Sequence, residues 1–134
     1  MVYKVAIVGH GSAGDLHRSV IGESIPDLEV IAIVDPRFRE ISKMSYSLPH
    51  PEDYAKFLTL EELLTSDVSF DAAIIATPTD HHLEDVKKLT DVKKNLLIEK
   101  PLGRTYAEAE MIQKDISESG VKSMVCLTGR FHPE

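Results

Sequence analysis

Val2-Tyr3-Lys4-Val5-Ala6-Ile7-Val8-Gly9-His10-Gly11-Ser12-Ala13-Gly14 opens the chain, and its reading decides the fold. Val2 to Val8 is short, rich in β-branched residues and ends at a glycine, which is the pattern of a strand whose second half is buried on both faces. Gly9, Gly11 and Gly14 then fit G-x-G-x-x-G. The first glycine allows a tight turn, the second lets the backbone approach a pyrophosphate, and the third lets a helix pack on the strand. Helical spacing runs from Ala13 to about Ile21, with Gly22 placed to end the helix in a left-handed cap. The start of that helix would offer free N–H groups to phosphates. A lone glycine triplet also occurs in connections that bind nothing; a strand before it and a helix after it turn the reading toward a dinucleotide.

Working outward, Leu28 to Val34 supplies a second strand, and Asp35-Pro36 is placed to start the next helix, with proline at its first position. Asp35 stands 21 residues after Gly14 at the end of that strand. There a carboxylate accepts hydrogen bonds from ribose hydroxyls and repels a 2′-phosphate, which favours NAD as the cofactor. Arg37, with Arg39 beyond it, keeps NADP open, because an arginine just past this strand can hold the 2′-phosphate. Ser45, Ser47, Pro49 and Pro51 make a surface loop of the stretch between Met44 and Tyr54, and a short strand follows near Lys56 to Leu58. Thr59 with Glu62 has the spacing of a capping box. Asp71 to Ala76 is a continuous apolar strand, Thr77 to Asp80 a turn that starts a helix to about Thr90, and Asn95 to Ile98 a fifth strand. Thr105 with Glu108 is a second capping box; its helix aligns Ala109, Ile112 and Ile116 on one face and stops at Gly120. Val121 to Leu127 is a sixth strand. Strands alternating with helices require a parallel sheet with right-handed crossovers, hence a doubly wound, three-layer α/β/α Rossmann fold. Thr77-Pro78-Thr79 would then share a sheet edge with the glycine turn, where ligands bind in open α/β sheets.

The 134 residues suit one domain, spanning residues 1–134, with a single real core. The composition is 43% apolar and 28% charged, with no linker-like stretch, and the formal net charge of −7 argues against nucleic acid as a partner. No apolar run approaches the roughly 20 residues of a membrane helix. The one cysteine, Cys126, lies in the run Met124-Val125-Cys126-Leu127, so an internal disulfide is excluded and a buried, inert thiol in a reducing cytoplasm is expected. His81 and His82 point about 100° apart on a helix, and His10, His17, His50 and His132 form no ligand spacing, so no metal is expected.

Glu99-Lys100-Pro101-Leu102-Gly103 follows the fifth strand. With Gly9 to Gly14, His17, Asp35, the segment Ala76-Thr77-Pro78-Thr79-Asp80-His81-His82 and the closing Gly129-Arg130-Phe131-His132-Pro133, it gives the chain its resemblance to the glucose-fructose oxidoreductase and inositol dehydrogenase family (Gfo/Idh/MocA) over essentially all 134 residues. The resemblance implies that Gly9, His10, Gly11, Ser12, Ala13, Gly14, Asp35, Arg37, Ala76, Thr77, Pro78, Thr79, His82, Glu99, Lys100 and Arg130 bind the dinucleotide. It places Lys100 beside the nicotinamide, as the catalytic residue that positions or deprotonates a substrate hydroxyl during hydride transfer, or as one that only bonds the nicotinamide ribose. A lysine suits acid–base work where its surroundings lower its pKa. A cis peptide before Pro101 is implied as well. Members of the family continue past the segment matching Arg130 to Pro133 into a second α/β domain that carries most substrate contacts and commonly builds the oligomer. None of that domain lies in these residues. The implied function is the cofactor domain of an NAD(P)-dependent oxidoreductase acting on a sugar, polyol or similar hydroxyl or carbonyl compound, with the substrate held only once a second domain or chain completes the site. The alternative is a freestanding NAD-binding module, regulatory or partner-completing. Self-association through an uncovered apolar patch is a further expectation.

Overall fold

The computed structural model describes residues 1–41 and 54–132. Six parallel strands, β1 (Tyr3–Val8), β2 (Leu28–Val34), β3 (Ala55–Phe57), β4 (Ala72–Ile75), β5 (Asn95–Ile98) and β6 (Ser123–Val125), form one sheet in the order β3-β2-β1-β4-β5-β6. The helices are α1 (Ser12–Ser24), α2 (Phe38–Ile41), α3 (Leu60–Thr65), α4 (His82–Asp91) and α5 (Tyr106–Ser119). Consecutive strands run one way from β1 to β3 and the other way from β4 to β6. With crossovers of one hand, that reversal sends the two sets of helices to opposite faces.

The cores show this. Ala6, Val8, Ala32, Val34, Ala73, Ile75, Leu96 and Ile98 point to one face and meet Leu60 and Leu63 of α3, Val86 and Leu89 of α4 and Ile112 of α5. Val5, Ile7, Ile33 and Ile74, the alternate residues of the same strands, point to the other and meet Ile21 of α1 and Phe38 of α2. Side chains alternate along a strand, so a sheet covered on both faces needs apolar residues at every position. The uninterrupted runs Val5 to Val8 and Ala73 to Ile75 are that requirement written in sequence.

Several element ends differ from the sequence reading. α1 runs through Gly22 to Ser24, and no left-handed cap forms there; Ile21 stays buried on the sheet, and the helix stops at Ile25, whose φ of −126° is set by the Pro26 that follows. Pro36 is not a first helical residue. The Asp35 carboxylate accepts from Arg37 N at 2.9 Å and Phe38 N donates to Asp35 O at 3.1 Å, closing a turn ahead of α2. β3 begins one residue early, and β6 keeps only three of the seven residues expected, while the loop expected from Met44 to Tyr54 lies almost wholly outside the described residues. In both capping boxes the threonine accepts from the third residue of the helix, Thr59 from Glu62 N at 3.2 Å and Thr105 from Glu108 N at 3.1 Å. The glutamate, however, reaches one residue further back, to Leu58 N and to Arg104 N, each at 2.8 Å. Gly120 ends α5 in the left-handed conformation, φ 74°, as read. No helix among the described residues is long and apolar enough to cross a membrane.

Candidate functional site: a dinucleotide cleft at the carboxyl edge of the sheet

Just past β2, β1, β4, β5 and β6, one more backbone bond carries the ladder outward: Asp35 N to Phe57 O (2.9 Å), Gly9 N to Val34 O (2.8 Å), Ala76 N to Val8 O (2.7 Å), Glu99 N to Ile75 O (2.9 Å) and Cys126 N to Ile98 O (2.8 Å). Asp35, Gly9, Ala76, Glu99 and Cys126 therefore stand in a row along one edge. Neighbouring strands lie about 4.8 Å apart, so a ligand touching both Asp35 and the Glu99-Lys100 segment must extend over about 14 Å. A dinucleotide has that shape.

The glycine turn sits where the strand order reverses. Gly9 has φ +95°, and a Cβ there would lie 2.6 Å from Ala76 O; a Cβ on Gly14 would lie 2.0 Å from Gly9 O. These two glycines serve the fold, by letting β4 and α1 close on the turn. Gly11 differs: a Cβ there meets nothing within 4 Å. It is the N-cap of α1 with no side-chain cap, so the first-turn N–H groups are left for a ligand. A cleft of about 800 Å³ opens there, lined by Gly9, Gly11, Ser12 and Ala13 from the turn, Asp35, Pro36 and Arg37 after β2, and Ala76, Thr77 and Pro78 after β4.

Asp35 is 5% exposed. Its Oδ1 accepts from Arg37 N and Nε, both at 2.9 Å, and its Oδ2 from His10 N at 2.8 Å and Arg37 Nη2 at 3.0 Å. Burial alone raises the pKa of this carboxyl, but the hydrogen bonds from Arg37 and the His10 backbone outweigh it and hold the group below its ordinary range. It is therefore an anion at neutral pH. Arg37 Nη2 also donates to His10 O at 2.5 Å. The His10 ring packs against Phe38, and burial lowers its pKa, so it is neutral at pH 7. Its Nε2 lies 3.4 Å from Asp15 Oδ1 yet makes no hydrogen bond, so that contact is proximity rather than an ion pair.

On the other side of the turn, Thr77 Oγ1 donates to Asp85 Oδ2 at 2.7 Å. Asp85 is buried, and desolvation raises its pKa against the opposing pull of the Thr77 hydroxyl. His82, 1% exposed, places Nε2 3.0 Å from Thr77 O and Nδ1 3.1 Å from Leu102 O, tying the loop after β4 to the loop after β5. Its ring is buried between these two loops and does not line the cleft.

A family model described as "Oxidoreductase family, NAD-binding Rossmann fold" (Gfo/Idh/MocA) matches residues 3–127. The chain belongs to this family. Among curated proteins it is 29% identical over 132 residues to 4-carboxy-2-hydroxymuconate-6-semialdehyde dehydrogenase of Sphingobium sp., covering 97% of this chain and 40% of that protein. It is 27% identical to scyllo-inositol 2-dehydrogenase (NAD(+)) of Bacillus subtilis, covering 97% and 37%. The structure of scyllo-inositol dehydrogenase from Lactobacillus casei with bound NAD(H) and scyllo-inositol superposes with a TM-score of 0.83 at 22% identity, over 98% of this chain and 38% of that one. At that identity the likeness is one of fold. The chain thus spans about two fifths of the relatives it matches, and the stretch it shares with the family is the nicotinamide dinucleotide-binding domain.

Of the other positions that the resemblance to Gfo/Idh/MocA proteins singles out, Thr79 follows β4 while Glu99, Lys100 and Arg130 lie after β5 and β6, and none of the four lines the 800 Å³ cleft. Thr79 begins a 3-10 turn, Thr79–His81, leading into α4. Glu99 Oε1 pairs with His17 Nε2 at 2.7 Å, and Glu99 Oε2 accepts from Lys100 N at 3.2 Å. Lys100 is exposed, and the Lys100–Pro101 peptide is cis, as the family resemblance implies. Arg130 is exposed in the 3-10 turn Thr128–Phe131. Sequence reasoning missed Asp85 and the approach of Cys126 to His17 and Glu99. Asp85 carries no motif, and the second grouping exists only once the strand order is known.

Proposed function

We propose that this chain is the cofactor half of an oxidoreductase that moves hydride between NAD and a hydroxyl or carbonyl group of a polyol, sugar or related small molecule, with NAD preferred over NADP. The observation that carries the reading is Asp35. It is an anion at the ribose end of the cleft, fixed by the His10 backbone beside the glycine turn, and it would repel a 2′-phosphate. Arg37 does not reverse this, because its guanidinium is engaged by both oxygens of Asp35. The turn from Gly9 to Gly14, open at Gly11, seats the pyrophosphate on the N–H groups of α1. Lys100, one residue past the strand-end row, supplies the acid–base group at the nicotinamide end, and its backbone N–H donates to Glu99. Substrate contacts come from a second domain or partner chain.

The test is nicotinamide reduction at saturating NAD⁺ with a panel of polyols and sugar acids, using the chain together with candidate substrate domains. Turnover that disappears with Lys100→Met while NAD⁺ still binds supports the reading. Cofactor binding without turnover from any combination would favour a freestanding NAD-binding module.

A further inference from the structure

At the end of the strand-end row away from Asp35, three side chains that the sequence keeps 82 and 109 positions apart converge. Glu99 follows β5. Cys126 follows β6 beside it, since Cys126 N donates to Ile98 O at 2.8 Å, and His17 reaches across from the second turn of α1. His17 Nε2 and Glu99 Oε1 are 2.7 Å apart, Cys126 Sγ lies 4.0 Å from His17 Nε2, and all three ligand atoms fall within 4.8 Å of one another.

The geometry points to a divalent transition-metal site, of the kind that takes Zn²⁺ or Co²⁺, formed by His17 Nε2, Glu99 Oε1 and Cys126 Sγ with solvent as the fourth ligand. One thiolate, one imidazole and one carboxylate is a donor set that zinc accepts. Around a tetrahedral ion at ordinary bond lengths, the nitrogen–oxygen edge is about 3.3 Å and the sulfur–nitrogen edge about 3.6 Å. The observed 2.7 Å must open and the observed 4.0 Å must close by about half an ångström each, which side-chain torsions supply without moving the backbone. The His17 and Glu99 side chains are 21% and 18% exposed, enough for a water to reach the ion. Lys100 N, bonded to the second oxygen of Glu99, orients the carboxylate from behind. Without a cation, burial and the Glu99 carboxylate push the Cys126 thiol up to about 11, so it keeps its proton at neutral pH. On metal binding that proton leaves to solvent, and the proton between His17 Nε2 and Glu99 moves to Nδ1 or to solvent, which frees both lone pairs.

The site shares Glu99 with the segment read as the nicotinamide end of the cofactor cleft, and its test uses the metal alone, with no dinucleotide present. The chain has one cysteine, so a thiolate-to-cobalt charge-transfer band on titration with Co²⁺ under reducing, oxygen-free conditions can come only from Cys126. We expect the band to saturate at one Co²⁺ per chain, to be displaced by Zn²⁺ and to vanish in Cys126→Ser. Apparent affinity should fall about ten-fold or more in His17→Gln and in Glu99→Gln, in line with what metal sites lose when the groups around them are changed. Circular dichroism checks that each variant folds. Should Cys126→Ser not fold, protection of Cys126 from a thiol reagent by Zn²⁺ in the unaltered chain decides. No band, a band saturating at half an equivalent, a band indifferent to His17 and Glu99, or no protection by Zn²⁺ would overturn the assignment.

Discussion

Gly11→Ala and Gly14→Ala, three residues apart in one motif, should fail in opposite ways. A Cβ on Gly14 would sit 2.0 Å from Gly9 O, where real Cβ contacts do not come under 3.0 Å, so the turn and α1 must part by at least an ångström. The turn cannot retreat, because Gly9 is itself pressed against Ala76 O. Overpacking of backbone on backbone at this scale belongs to the rare changes costing about 4 kcal/mol or more, equivalent to a fall of about 15 °C in Tm for a domain of this size. At Gly11 the new methyl meets only open space in the free chain. Alanine is a poorer N-cap than glycine, but it also restricts the unfolded chain, so stability should stay within about 1 kcal/mol. On the proposed reading the methyl would stand where the pyrophosphate approaches the turn. Losing one charge-assisted backbone bond to a phosphate costs about 1.5–3 kcal/mol, a weakening of NAD binding by about 10- to 100-fold. Thermal unfolding by circular dichroism and calorimetric titration with NAD⁺ read the two effects separately. A Gly11→Ala chain that binds NAD⁺ like the parent would refute the glycine turn as the pyrophosphate seat. A Gly14→Ala chain that melts like the parent would refute the close packing.

Three further outcomes follow from the same geometry. Arg37→Ala should leave NAD⁺ the preferred ligand and change NADP⁺ affinity by no more than a few-fold, as read by paired titrations, since the guanidinium is engaged by both Asp35 oxygens rather than offered to a 2′-phosphate; a loss of NADP⁺ binding of about ten-fold or more would contradict this. Asp85 is an acid whose pKa is raised on folding, so the native chain binds the extra proton, and stability falls as pH climbs from its ordinary value of 3.8 through the raised one. Asp85→Asn, which can still accept from Thr77, should flatten that part of the stability–pH profile in urea melts and be as stable as the parent or more so at pH 7; a steeper profile would contradict the burial account. Thr105→Ala removes the cap of α5 and should cost about 1 kcal/mol, with Thr105→Ser recovering most of it in the same melts.

What the sequence displays plainly is whatever depends on near neighbours. β2 begins and ends at Leu28 and Val34 as read, because an apolar, β-branched run interrupted only by Glu29 is bounded by Asp27 and Asp35. The glycine turn was legible for the same reason. α1 outran its expected end because a glycine can cap a helix but need not, whereas Pro26 forbids continuation; the stronger constraint lay four residues beyond the weaker one. Pro36 looked like a helix start until the Asp35 side chain claimed the Arg37 N–H. His82 carried a family motif whose ring turned out to be a buried tie between two loops, and motif spacing does not say which way a ring faces. The His17, Glu99 and Cys126 grouping had no local signature at all. It arises because β5 and β6 are adjacent and His17 reaches their ends from α1, which itself packs on β1 and β2; that is a property of strand order.

The most direct measurement is calorimetric titration of the chain with NAD⁺ and with NADP⁺ at equal ionic strength. A pocket built by the glycine turn and an ionised Asp35 should take one NAD⁺ per chain, and take it more tightly than NADP⁺. Failure of both to bind, or tighter binding of NADP⁺, would contradict the assignment of this sheet edge as an NAD site governed by Asp35.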